Sequence, residues 1–245
     1  MIGSRREFLK TAGVAAGVTA LPSWTLDLEA AAAAGLDKPA LAGVALATAK
    51  RLGATYADVR INRYRFESMA TREAQVQQVQ RNQSFGFGVR VLVKGTWGFA
   101  ASRNVSADEV RRVTGLAVEI AKANAAYQRK PIALAGADKV VTTWKSAFKK
   151  DPFDVPLDQK IQFLLKLNET AMKVQGVSFV NSNVFFVNEQ KFFASSDGSR
   201  IEQYLIRSFP GFSVTAVDRT RGDFQQRRSL GGPQGLGYEY LETYP

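Results

Sequence analysis

The residue types that enzymes most often use for metal binding and nucleophilic attack are missing from this 245-residue chain, which contains no histidine and no cysteine. Without imidazole, neither a Ser-His-Asp nor a Cys-His arrangement can form, and no zinc site can use histidine or thiolate ligands. Paired carboxylates could still run acid–base chemistry. The acidic candidates are scattered, with no spacing that ties two of them together: Asp58, Glu67, Glu73, Glu202 and Asp223. We therefore assign no catalytic and no metal-binding residue.

Three other short motifs are interpreted as structural. Gly86-x-Gly88 lies between two strand-like segments and lacks the third glycine of a dinucleotide-binding loop, so it predicts a bulge or a close-packed glycine pair. Ser195-Ser196 precedes a turn and has no base beside it. Arg221-Gly222-Asp223 reads as a turn.

The amino terminus contains the sequence S-R-R-E-F-L-K, which matches a twin-arginine export signal at Ser4, Arg5, Arg6, Phe8, Leu9 and Lys10. A short, weakly hydrophobic segment and an alanine tract follow, as in a cleavable leader. Such a signal is an address read by a receptor and not an anchor. We predict that residues 1–34 are a signal peptide and that the protein is periplasmic or otherwise extracytoplasmic, without a stable membrane anchor.

The formal net charge is +11, which by itself would suggest an anionic partner. The export signal argues against chromosomal DNA, and we predict no nucleic-acid partner. The densest basic cluster is interpreted as solvated surface: Arg219, Arg221, Arg227 and Arg228. Since there is no cysteine, no disulfide can stabilise the fold, and an ordinary apolar core must do so.

Periodicity and capping signals predict helices over Pro39–Gly53, from Ser106 to about Ala126, and from Leu157 to about Val174. Lys94-Gly95 and Asp197-Gly198 are typical of hairpin turns. The strand-like segments are 57–61, 64–71, 76–84, 87–93, 96–102, 140–144, 177–187, 190–195, 201–209, 212–217 and 224–230. This order predicts an α+β fold of antiparallel β meanders with flanking helices. Residues 35–245 would form one domain, with a candidate division into 35–150 and 151–245.

A family resemblance rests on an ordered set of segments. Leu52–Asn104 contains L-G-A-T-Y-A-D-V-R-I and S-F-G-F-G-V-R-V-L-V-K-G-T-W-G-F-A-A-S-R-N. Lys191–Asp218 contains K-F-F-A-S-S-D-G-S-R-I-E-Q and P-G-F-S-V-T-A-V-D, and Gly235–Glu242 reads G-L-G-Y-E-Y-L-E. Together these resemble the amino-terminal half of the TldD/PmbA metallopeptidases, also described as modulators of DNA gyrase.

The resemblance implies a zinc-dependent peptidase that acts on unfolded or extended peptides as a homo- or heterodimer of similar subunits. Its metal would sit on an H-E-x-x-x-H helix in the second half of the protein, in a catalytic domain that this sequence lacks. No catalytic residue of the family can be placed on this chain. We therefore expect no cofactor in this chain and zinc in the full-length family.

Three functions remain open at this stage. The first is the amino-terminal portion of an exported TldD/PmbA-like peptidase, cut short. The second is a non-catalytic partner subunit of such a peptidase, and the third is an envelope peptide-binding module. Whether the chain is itself an enzyme stays open. In each case its sheet edges could hold an extended peptide by strand addition, or form half of a dimer interface.

Overall fold

Two long antiparallel hairpins dominate the computed structural model, which describes residues 35–244. The first hairpin pairs β1 (Tyr56–Arg72) with β2 (Gln75–Val93), and the second pairs β5 (Val177–Ser195) with β6 (Arg200–Asp218). β1 and β5 lie side by side and antiparallel, so both hairpins belong to one sheet.

Three shorter strands complete the seven-stranded sheet, in the order β3-β2-β1-β5-β6-β4. β3 (Thr96–Ser102) extends the first hairpin. β4 (Val141–Lys145) pairs in parallel with the start of β6, and β7 (Asp223–Arg228) pairs antiparallel with its end. The predicted α+β class with mainly antiparallel strands is confirmed, with β4 as a parallel addition.

The helices cover one face of this sheet. They are α1 (Lys38–Arg51), α2 (Ala107–Ala125), α3 (Leu157–Met172) and the short α4 (Glu239–Glu242). α1 and α2 pack on one end through small side chains, and an added Cβ on Gly98 would lie 1.9 Å from the Ala117 carbonyl oxygen. The close approach of α2 therefore requires a glycine at that position.

At the other end of the covered face, α3 and α4 enclose an apolar cluster of Met69, Val155, Leu164, Val184, Phe186, Tyr238 and Leu241. No helix among residues 35–244 packs on the opposite face, which carries Asp58, Arg60 and Asn62 and which we call the open face. An aromatic row of Phe66, Phe185 and Phe209 crosses the open face, with ring centroids 6.2 and 5.4 Å apart.

Several predicted strand boundaries are wrong in one systematic way. The breaks predicted near Asn62, Gly86, Asn188 and Pro210 do not occur, and each pair of segments forms one continuous strand. Backbone pairing does not depend on side-chain polarity, so a polar or glycine interruption inside a well-paired hairpin leaves the ladder intact.

Both predicted hairpin turns are confirmed, since Lys94, Gly95 and Gly198 all have positive φ. The predicted capping residue of α2 is also confirmed, because the Ser106 hydroxyl accepts a hydrogen bond from the Glu109 amide at 3.3 Å. The predicted export signal lies outside the described residues. Within those residues, no helix has the length and apolarity needed to cross a bilayer.

Candidate functional site

The outer edge of β2 is unpaired over residues 75–86. β3 pairs only with residues 87–93 of β2, and then leaves the sheet. Among the described residues, no other strand or backbone hydrogen bond reaches the outer side of β2 before residue 87. We call this stretch the free edge. A row of unpaired N–H and C=O groups is the feature that binds an added strand.

Alternation along β2 identifies which backbone groups face outward. The Thr55 amide donates to the Leu92 carbonyl at 2.8 Å, so the backbone groups of Leu92 face β1. Directions reverse at each residue of a strand. The register between β1 and β2 shifts near the hairpin tip, between residues 76 and 78 of β2, so the alternation holds from residue 78 onward. There the outward-facing residues of the free edge are Val79, Arg81, Gln83 and Phe85. These four residues would make the hydrogen bonds to an added strand.

A buried ionic cluster ties the free edge to α3. Glu67 of β1 is 1% exposed, and its carboxylate binds both the Lys160 ammonium and the Arg81 guanidinium. The Arg81 Nε to Glu67 Oε2 distance is 2.6 Å. Lys160 is 0% exposed, and burial lowers its pKa although the Glu67 carboxylate acts in the opposite direction. The cluster therefore joins β1, β2 and α3, with Lys160 and Glu67 buried and Arg81 half exposed.

A second buried polar group, the side chain of Asn168 on α3, contacts the tip of the β1–β2 hairpin. The Asn168 side-chain amide donates to the Thr71 hydroxyl and to the Glu73 carbonyl, both at 3.0 Å. The Thr71 and Ser182 hydroxyls lie 2.7 Å apart and link β1 to β5. The hairpin tip is thus fixed to α3, and the free edge extends from a supported scaffold. An edge that is fixed before binding loses less conformational entropy on binding.

The free edge ends at an open cavity of about 360 Å³ on the open face. The glycine pair forms its floor: a Cβ on Gly86 would lie 2.7 Å from the Ser102 carbonyl oxygen, and a Cβ on Gly88 would lie 2.9 Å from the Phe99 ring. The close-packing interpretation of this pair is therefore confirmed. The bulge interpretation is wrong, because the pairing of both glycines with β1 is continuous.

The charges around the cavity are positive. Asp58 is 0% exposed and binds Arg60 at 2.9 Å and Arg90 at 2.7 Å, so one carboxylate is shared between two guanidinium groups. Arg103 also lines the cavity, is exposed, and has no ion-pair or hydrogen-bond partner among the described residues. The cavity wall includes Asn62, whose Oδ1 is buried and has no hydrogen-bond partner in the described part of the chain.

The structure does not bring the candidate carboxylates together. Asp58 and Glu67 lie on opposite faces of β1, because one has an even and the other an odd position in a strand without a bulge between them. Glu73 pairs with Arg72, Glu202 with Lys38, and the Asp223 carboxylate accepts from the Phe224 amide. Each acidic group therefore has its own local partner.

Two important residues were missed in the sequence, Lys160 and Asn168. They are buried on α3 with Leu164 between them. The spacing of four residues could have found them, since positions i, i+4 and i+8 share one helix face. Apolar character alone is a poor guide on this helix, since Met172 is 37% exposed while Lys160 and Asn168 are buried.

The remaining sequence motifs lie in turns or on the surface. The Ala57 amide donates to the Ser196 hydroxyl at 3.1 Å, which extends the pairing of β1 with β5. Gly222 has a φ of 67° in the turn before β7. The basic cluster at 219–228 lies on this exposed hairpin. Across residues 35–244, no group of three or more His, Cys, Asp or Glu side chains is placed to hold a metal ion, so no metal fits the described site.

Comparisons with known proteins agree on one family. Residues 57–121 match the family model described as PmbA/TldA metallopeptidase domain 1. Residues 150–242 match the PmbA/TldA metallopeptidase central domain, a second model of the same family, which is also written PmbA/TldD.

Two curated relatives are named as metalloproteases. A metalloprotease of Methanocaldococcus jannaschii is 29% identical over 76% of this chain and 40% of its own length. A metalloprotease of Methanothermobacter thermautotrophicus is 28% identical over 76% of this chain and 39% of its own length. The chain thus spans about two fifths of the length of the curated relatives that it matches.

Solved structures share the fold. A proposed modulator of DNA gyrase from Bacteroides thetaiotaomicron matches with a TM-score of 0.62 at 16% identity, over 79% of this chain and 44% of that one. A second, from Thermotoga maritima, matches with a TM-score of 0.61 at 14% identity, over 78% and 42% of the two chains. The two successive domain models together cover more than half of the chain, which belongs to the PmbA/TldD metallopeptidase family.

Proposed function

We propose that this chain is the amino-terminal portion of an exported TldD/PmbA-like zinc metallopeptidase that acts on unfolded or extended peptides. Within that protein, the chain would hold the peptide and a further domain would supply the metal. The observation that carries the proposal is the free edge of β2, whose outward backbone groups lack partners in the described part of the chain. Backbone recognition suits a peptidase of broad substrate range, because it does not depend on side chains.

The physical properties of the free edge favour an extended partner. Its side chains are mostly polar and uncharged, in the sequence Q-V-Q-Q-V-Q-R-N-Q-S from Gln75 to Ser84. Lysine and proline, two residues that block an edge, are absent from this stretch. Its single charge, Arg81, is held by Glu67. An incoming strand therefore meets neither like-charge repulsion nor a missing amide donor.

Calorimetry with an unfolded peptide tests this proposal. We expect the full chain to bind a proline-free peptide with neutral side chains, and Val79→Pro to abolish binding, because it removes one outward N–H of the free edge. Val79→Ala is the matched control, since it shortens the same half-exposed side chain and keeps the N–H group. A flat titration with the unmodified chain, or equal binding by Val79→Pro, would reject the proposal.

The export step needs its own test. Replacing Arg5 and Arg6 with lysine keeps the charge of the leader but removes the arginine pair that the receptor reads. We expect the variant to stay in the cytoplasm while the parent protein is found outside it, as measured by cell fractionation. Equal distributions would contradict export by this route.

The partner and the metal are proposals about the whole protein. We propose that a TldD/PmbA-type subunit, either a second copy or a homologue, assembles with it, and that zinc is bound outside the described residues. Metal analysis and co-purification of the native gene product would test both points. A metal-free, monomeric product with peptidase activity would contradict them.

A further inference from the structure

The cavity at the end of the free edge lies where an added strand must stop. An added strand would continue the row that β3 occupies, because both pair with the outer side of β2. That row is blocked by Ser102 and Arg103, whose backbone approaches Gly86 closely. A peptide in this row must therefore leave the sheet there or end there.

The chemistry at this point suits a negatively charged peptide end. Arg103 is exposed and has no ionic partner among the described residues, and it lines the cavity together with Ser84 and Phe85 of the free edge. Arg60, on the opposite wall, shares the single charge of Asp58 with Arg90. Of the residues that the structure describes, none with a carboxylate lines the cavity. The two walls thus carry uncompensated positive charge.

We propose that this cavity binds the carboxyl-terminal residue of the peptide, with its free carboxylate on Arg103 and its side chain over Gly86 and Gly88. The peptide then runs parallel to β2, because β2 itself runs from residue 75 toward the cavity. An amino terminus is disfavoured, since its ammonium group would face Arg103 and Arg60. This inference rests on the proposed peptide-binding function, and it adds the direction of the bound peptide and the group that is recognised.

The cavity also restricts the last side chain. Phe99 supplies an apolar wall and is 58% exposed, so it has apolar surface left to cover. The Oδ1 atom of Asn62 is a buried acceptor that receives no hydrogen bond from residues 35–244. A side chain with an apolar stem and a hydrogen-bond donor at its tip would satisfy both, because an unpaired buried acceptor is costly to leave unmet.

The test compares one proline-free, neutral peptide in two forms, with a free carboxyl terminus and with a terminal amide, by calorimetry on the full chain. We expect the acid to bind about tenfold more tightly, as for a charge-assisted hydrogen bond. Arg103→Ala should remove this preference and leave amide binding unchanged, and Arg103→Lys should keep part of it. Arg219→Ala is the matched control, because it removes one exposed arginine far along the chain and should change nothing.

The outcomes separate the two claims. Equal binding of acid and amide, with both blocked by Val79→Pro, would overturn the carboxylate site and leave the free edge as a peptide site. A preference for the acid that survives in Arg103→Ala would also overturn it, by showing that net charge alone is responsible. If neither peptide binds, the proposed function fails and this inference fails with it.

Discussion

Asp58 and Glu67 are two buried carboxylates on the same strand, yet they have different surroundings. Glu67 faces the helices and binds both Lys160, which is fully buried, and Arg81, which is 49% exposed. Asp58 is on the open face and binds two arginines that are 38% and 39% exposed. The first carboxylate fastens a helix to the sheet, and the second controls charge beside a cavity. The role of a buried acidic residue in a strand therefore depends on which face of the sheet its side chain lies on.

The largest effect that this comparison predicts is on stability at Glu67. Glu67→Ala leaves Lys160 buried without its counter-charge, so we expect a loss of roughly 3–5 kcal/mol in the free energy of unfolding. Chemical denaturation measures it. The double variant Glu67→Gln, Lys160→Met should recover much of the loss because no buried charge remains. A loss below about 1 kcal/mol in the single variant, as for surface pairs, would show that Glu67 does not stabilise a buried charge.

Asp58 should matter less for stability. In Asp58→Asn, both half-exposed arginines can turn to solvent, and we expect a loss of roughly 1–2 kcal/mol in the free energy of unfolding. The loss should shrink in high salt, because exposed charges are screened. Glu67→Ala, by contrast, should be almost insensitive to salt. Equal salt dependence of the two variants in denaturation experiments would contradict the difference in burial.

The pH dependence of stability also distinguishes the two carboxylates. Lys160, beside Glu67, can lose its proton within the accessible pH range, whereas the arginines beside Asp58 cannot. Burial lowers the pKa of Lys160 below its ordinary value of 10.5. The unfolded chain therefore binds more protons, and stability should rise with pH as it passes through the folded pKa, up to about 10.5. Subtracting the profile of Lys160→Met isolates this rise in denaturation experiments. Parallel profiles would show that Lys160 does not titrate abnormally.

For Glu239 we expect the smallest effect on stability. The surroundings of this carboxylate differ from those of Glu67 and Asp58, because backbone amides take the place of cations. Burial opposes its ionisation, but hydrogen bonds from the Gly237, Lys149 and Lys150 amides lower its pKa below 4.5. The stabilisation is present above pH 4.5 and is lost as pH falls through the folded pKa.

Glu239→Gln should therefore cost about 1 kcal/mol at neutral pH and little in acid. Denaturation at both pH values measures this, with Glu242→Gln as the exposed control. An equal cost at both pH values would contradict the assignment.

Much of the fold could be predicted from local signals. The turn at Lys94-Gly95 and the cap at Ser106 depend on neighbouring residues, and both were predicted correctly. The continuous course of β1 through Asn62 could not be predicted, because it depends on pairing with β2 and β5 from distant parts of the chain.

Less of the candidate site than of the fold could be predicted from the sequence. Glu67 and Lys160 are separated by 93 residues, and nothing local connects them. The cavity depends on the place where β3 leaves the sheet, which only the register shows. Gly86 was recognised as a packing residue, but what packs against it, the backbone at Ser102, could be known only from the structure.

Amide hydrogen exchange of the full chain, with and without a saturating unfolded peptide, would show whether the free edge binds the peptide. We expect the peptide to slow exchange at the outward-facing amides of Val79, Arg81, Gln83 and Phe85 and to leave their inward-facing neighbours unchanged. Protection at another edge, such as β4 or β7, or binding without any protection at residues 75–86, would contradict this expectation.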